Sequence, residues 1–78
     1  MDILQIIAEQ VKADFAIGER NGEPKSESIR NAALQIHEDY PSVTARQFGQ
    51  GAALSGLTRE NSAINRWNEA RKNWGEDW

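Results

Sequence analysis

The chain has 78 residues and a formal charge of −3, room for one domain built around one core. It holds no cysteine and a single histidine, His37, which excludes a disulfide framework, a thiolate metal centre, a cysteine nucleophile and a histidine-built zinc site. Leu, Ile, Val and Phe together make up only 15 residues, so a marginally stable domain helped by a partner or a second copy is expected, while the small net charge speaks against disorder.

Valine and threonine are scarce, alanine is the commonest apolar residue, and no stretch alternates with period two for long, so helix is the expected state throughout. The first helix is predicted from Asp2, its cap, to about Ile17, with Gly18 as its stop. Ile3, Ile7, Val11 and Phe15 form an i,i+4 row that Leu4, Ile6, Ala8 and Ala13 widen. At ~100° per residue the apolar arc exceeds half the circumference, too broad for a surface helix. This helix is therefore expected either at the centre of a bundle or in a homodimer contact. The apolar run from Ile3 to Ala8 is broken by Gln5, cannot span a bilayer, and lacks the basic lead and cleavage pattern of a signal peptide. A cytoplasmic location is the expectation.

Residues 18–25 read as a polar loop carrying the turn signal Asn21-Gly22 and ending near Pro24. A second helix is predicted after Ser26, running to about Asp39, with Ile29, Ala32, Ala33, Ile36 and Tyr40 at helical spacing and Pro41 as its stop. The third helix has a capping-box start, with Thr44 as cap and Gln47 three residues on, and Val43 and Phe48 fall at the two staple positions. Gly49 and Gly51 each weaken it by roughly 1 kcal/mol relative to alanine, and it should fade near Leu54, with Gly56 suited to a left-handed closing residue. The fourth helix is predicted from near Thr58 to near Trp74, with Gly75 as its stop. Ala63, Ile64, Trp67, Ala70 and Trp74 lie on one face; Asn61, Asn65, Asn68, Glu69 and Lys72 lie opposite. Residues 75–78 are expected to form a frayed tail. The fold class is all-α, a small single-domain bundle of about four helices.

Charge divides along the chain. Residues 1–40 carry four cations and eight acids, a balance of −4, whereas residues 41–74 carry five cations and two acids, a balance of +3. A basic local surface is what phosphate contact requires, whatever the total charge. Residues 43–74 also read as a short helix, a glycine-containing turn and a long helix, the order of a helix-turn-helix whose second helix enters the major groove. In that arrangement Thr44 and Arg46 are the candidate phosphate contacts at the start of the third helix. Asn61 and Asn65 are placed to pair with adenine, Arg59 and Arg66 to reach guanine or phosphate, and Lys72 to reach phosphate.

The segment ENSAINRWNEARKNW resembles the recognition-helix end of phage and plasmid helix-turn-helix regulators. More loosely, IRNAALQIHEDYPSVTARQFGQG together with SAINRWNEAR resembles the N-terminal DNA-binding domain of plasmid KfrA-type proteins. The resemblance spans about residues 29–74 and implies sequence-specific binding of double-stranded DNA.

Each of these features also has a plainer reading. The polar stripe of the fourth helix is either solvated surface or a DNA reader; Trp67 and Trp74 belong in a core. His37 beside an apolar stripe reads as a partly buried structural residue. Glu38, Asp39 and Trp78 suit a second expectation, a small inhibitor, antirepressor or adaptor docking on a host or regulatory protein. Neither reading calls for a cofactor or a metal. Glu38-Asp39 and Glu76-Asp77 are sequence neighbours whose side chains diverge, no nucleophile elbow is present, and GQGAALSG matches no phosphate-loop pattern, so an enzyme is not expected.

Overall fold

The computed structural model describes residues 2–72, and these form four α-helices: α1 (Ile3–Asn21), α2 (Lys25–Asp39), α3 (Ala45–Leu54) and α4 (Glu60–Arg71). The expected all-α bundle is present. The expectations for Trp74, Gly75, the tail and Trp78 lie outside the described residues.

Local chemistry explains the helix starts and stops. Asp2 accepts a hydrogen bond from the Gln5 backbone N–H at 2.9 Å and so caps α1. Its end departs from the sequence expectation. Gly18 does not stop α1; it lies buried inside the helix, where an added Cβ would run into the Ser28 side chain of α2. The stop is Gly22, with φ of 72°, and the Gly22 and Glu23 N–H groups return to the carbonyls of Glu19 and Gly18, the latter at 2.8 Å, as in a Schellman closure. The loop is correspondingly shorter than expected. α2 begins at Lys25 rather than after Ser26, directly behind Pro24, whose carbonyl accepts the Glu27 and Ser28 N–H groups.

α3 starts as its residues predict. Thr44 Oγ1 accepts from the Gln47 N–H at 3.2 Å, and Gln47 Oε1 accepts from the Thr44 N–H at 2.9 Å. Val43 and Phe48, the two staple residues, are both in the core. The helix ends at Leu54, and Gly56 takes the left-handed conformation with φ of 77°. α4 begins at Glu60, two residues later than expected, because the chain stays extended at Arg59 after the half-buried Leu57 packs on the core.

The helices pack in a ring in which α1 touches α2 and α3, and α4 touches α2 and α3. The core collects Ile7 and Val11 from α1, Ile29, Ala32, Ala33 and Ile36 from α2, Val43, Phe48 and Ala52, and Ala63, Trp67 and Ala70 from α4. Trp67 is in the core as its spacing predicts, with its ring 5.1 Å from Phe48 and 6.3 Å, edge-on, from His37. The broad apolar arc of α1 follows from its position, since α2 and α3 cover two different sides of it. No helix among the described residues is long and apolar enough to cross a membrane.

The two glycines of α3 have a purpose that composition alone concealed. A Cβ on Gly49 would stand 2.7 Å from Ile64 Cγ1 and 2.9 Å from the Glu60 carbonyl oxygen of α4. A Cβ on Gly51 would stand 2.5 Å from Ile7 Cβ and 2.9 Å from the Leu4 carbonyl oxygen of α1. Both positions therefore set how closely α3 approaches its neighbours.

Candidate nucleic-acid interface

α4 is amphipathic by register. Ala63, Trp67 and Ala70 point into the core, and at 3.6 residues per turn the side facing away from them holds Asn61, Asn65, Asn68 and Lys72 within about 60° of arc. All four are exposed, and none is covered by another helix. The strip is roughly 16 Å long from Asn61 to Lys72 at about 1.5 Å per residue. Exposed Arg59 stands at its N-terminal end, beside exposed Glu60. The uncharged amides thus form the middle of the face, with cationic side chains at both ends.

Arg66 lies off this strip, toward α2. Its Nη2 donates to Glu69 Oε2 at 2.8 Å, while Glu69 Oε1 accepts from Arg30 Nη1 of α2 at 2.7 Å. Arg30 Nη2 in turn donates to Glu27 Oε2 at 2.6 Å. Glu27, Arg30, Glu69 and Arg66 make one alternating chain of charge across the α2–α4 seam. The hydrogen bond from Arg30, aided by the nearby charges of Arg66 and Lys72, holds the Glu69 carboxyl below the ordinary carboxylate range against its partial desolvation. The acid nearest the amide strip is therefore ionised with both oxygens occupied. Glu27 and then Glu69 keep the Arg30 guanidinium still more firmly protonated.

α3 supports α4 through the Gly49 contact, and the turn between them is braced. The Ser55 hydroxyl accepts from the Leu57 N–H at 3.1 Å, and Lys25 Nζ reaches from the start of α2 to the Leu57 carbonyl oxygen at 2.8 Å. Thr44 has its hydroxyl and its backbone N–H engaged by Gln47, so the outward cation at this end of α3 is Arg46, which is exposed. One turn before Gly49, Arg46 falls on the α4 side of its helix.

Two further surfaces bear on the docking expectation. Glu38 and Asp39 are exposed at the end of α2, with Asp39 accepting from Gln35 Nε2 at 2.9 Å. Leu54, 61% exposed, borders a groove lined by Gln5, Ala8, Glu9 and Lys12 of α1.

Most candidate residues stand where helical periodicity places them: Thr44, Arg46, Arg59, Asn61, Asn65 and Lys72 are all exposed. The exception is Arg66, whose side chain keeps only 28% of its surface exposed beside Glu69. Sequence reasoning placed Asn68 on the polar face together with Glu69, which the structure ties instead to Arg30 of α2, and it missed two features, the Lys25 brace and the ion-pair chain. The i,i+3 spacings of Glu27–Arg30 and Arg66–Glu69 are visible in the sequence, but the Arg30–Glu69 link between them, 39 residues apart, is not. Comparison with known protein families, with curated proteins and with solved structures finds no match to the chain.

Proposed function

We propose that this chain is a small sequence-specific double-stranded DNA-binding regulator of phage or plasmid type, in which α4 lies in the major groove. The observation that carries the reading is the outward Asn61, Asn65, Asn68 and Lys72 strip, free of acidic side chains and presented by a helix that α3 braces from behind. Asparagine side chains pair with adenine edges, and Arg46, Arg59 and Lys72 are the phosphate contacts. The resemblance of residues 29–74 to helix-turn-helix regulators points the same way. Of the apolar arc of α1, Ile7, Ala8 and Val11 are buried within the chain, whereas Ile17 stays 52% exposed, so a homodimer contact through α1 remains part of the proposal.

Fluorescence anisotropy on labelled duplexes from the flanking genomic sequence tests it. Three phosphate contacts should give a log–log salt slope of about −2.7. Asn65→Ala should lower specific affinity by about tenfold with helicity unchanged. No duplex binding at low salt would overturn the proposal.

A second reading, a protein-docking module, is favoured by Leu54 and its groove and by the acidic pair Glu38 and Asp39. Reversing both acids to lysine would then abolish capture of the partner, with no effect on DNA.

A further inference from the structure

Resting on the homodimer contact in the reading above, we infer that the outward side of α1 binds a second copy of this chain antiparallel to itself, with Glu9 of each copy paired to Arg20 of the other. α1 turns Ile7, Val11 and Gly18 to the core. At about 100° per residue the opposite side carries Gln5, Glu9, Ala13, Ala16 and Arg20 within about 80° of arc, and all five are exposed. Two of the three large apolar side chains left exposed among the described residues border this same side. Ile17, 52% exposed, runs along one edge near half-buried Ile6. Leu54, 61% exposed, stands along the other edge beside Gln5, Ala8, Glu9 and Lys12. A helix face bordered by apolar groups on both sides favours a covering partner.

The order of charge along the strip says what that partner is. Glu9 with Arg20, and Ala13 with Ala16, share one midpoint, between positions 14 and 15. A two-fold axis through that point, perpendicular to the helix, sets Glu9 opposite the partner's Arg20 and Ala13 opposite the partner's Ala16, and symmetry repeats both pairs. Within one copy the two charges stand about 16 Å apart along the axis at about 1.5 Å per residue, too far to meet each other. The contact Glu9 makes inside its own copy is loose: Lys12 Nζ lies 3.7 Å from Oε2, with both side chains more than half exposed. A parallel pairing would instead set Glu9 on Glu9 and Arg20 on Arg20, two repelling pairs. The alanines at the centre let the two helices approach closely. A seam of one helix from each copy falls at the small end of interfaces, under about 1,200 Å² in total, so the association is weak and concentration-dependent. α4 stands across the ring from α1, so its amide strip stays open in the dimer and DNA binding is read separately.

The test is sedimentation equilibrium of the full chain at low salt, from about 10 μM to about 1 mM, on wild type, Glu9→Arg, Arg20→Glu and the Glu9→Arg/Arg20→Glu double variant. Circular dichroism confirms that each variant is folded. Wild type should dimerise reversibly, each single reversal should weaken the dimer by about tenfold or more, and the double variant should restore it, because the exchanged charges meet again across the axis. Orientation is read by cross-linking, since the chain has no cysteine of its own. In the antiparallel dimer Ala13→Cys stands about 5 Å along the axis from its symmetry mate and Gln5→Cys about 28 Å from its own. A short bismaleimide should therefore link the Ala13→Cys variant into dimers and leave the Gln5→Cys variant unlinked. Dimers that the single reversals leave unweakened, a double variant that stays monomeric, or efficient linking through Gln5→Cys would overturn the inference while leaving a homodimer in place. A wild-type chain monomeric over the whole range would overturn this inference and the homodimer contact together, and duplex binding in the anisotropy assay would still report on the DNA reading by itself.

Discussion

At the scale of single residues, Gly49 shows how a propensity rule is overruled by a contact. Glycine inside a helix costs roughly 1 kcal/mol against alanine, so Gly49→Ala would stabilise an isolated α3. In the bundle the new methyl would meet the Glu60 carbonyl oxygen at 2.9 Å, and backbone cannot rotate away. Gly49→Ala should therefore destabilise the protein, by about 1–3 kcal/mol in urea unfolding. His37 makes a prediction about pH. Desolvation beside Trp67 pushes its imidazole below the ordinary value of about 6.5, so the folded state favours the neutral ring. The unfolded chain takes up this proton first as the pH drops. The contribution is thus intact above about pH 6.5 and is lost as pH falls through the folded value. Glu69 has the same sign lower down, its contribution present above the ordinary carboxylate range and lost as the folded carboxyl protonates. The melting temperature should fall between pH 7.5 and pH 5.5, and His37→Gln should flatten that part of the profile.

At the scale of elements, legibility followed the range of the interaction that defines each one. The start of α3 was readable because the Thr44–Gln47 box is complete within four residues. Removing the Thr44 oxygen by Thr44→Ala should cost about 1 kcal/mol in the same unfolding assay. The end of α1 was misread because two glycines competed for the role. Gly18 is explained only by Ser28 on another helix, and Gly22 by a left-handed backbone that the Asn21-Gly22 turn signal already marked. The outward face of α4 was readable from helical period, since Asn61 and Asn65 need only lie opposite Trp67. The fate of Arg66 was not, because the group that fixes Glu69 lies on α2. Periodicity places a side chain on a face; it does not say which neighbour takes hold of it.

At the scale of the whole molecule, the uneven charge has a use under the DNA-binding reading. The negative balance of residues 1–40 lowers attraction to phosphate in general, while the positive balance of residues 41–74 remains at the contact. Binding to random duplex should consequently be weak at physiological salt, with a large ratio between specific and random sites measured in the same titration. The ring arrangement of the helices has one more consequence. α1 with α2, and α3 with α4, are two hairpins, and the core draws six residues from the first and six from the segment that follows. Neither hairpin can bury its apolar side alone. Peptides 1–41 and 42–78 should each be largely unfolded, and on mixing should regain helicity beyond the sum of the two, with a midpoint that shifts with concentration; strong helicity in either peptide by itself would contradict this. The covalent join at residues 41–42 then acts mainly as a tether, raising the local concentration of one half around the other.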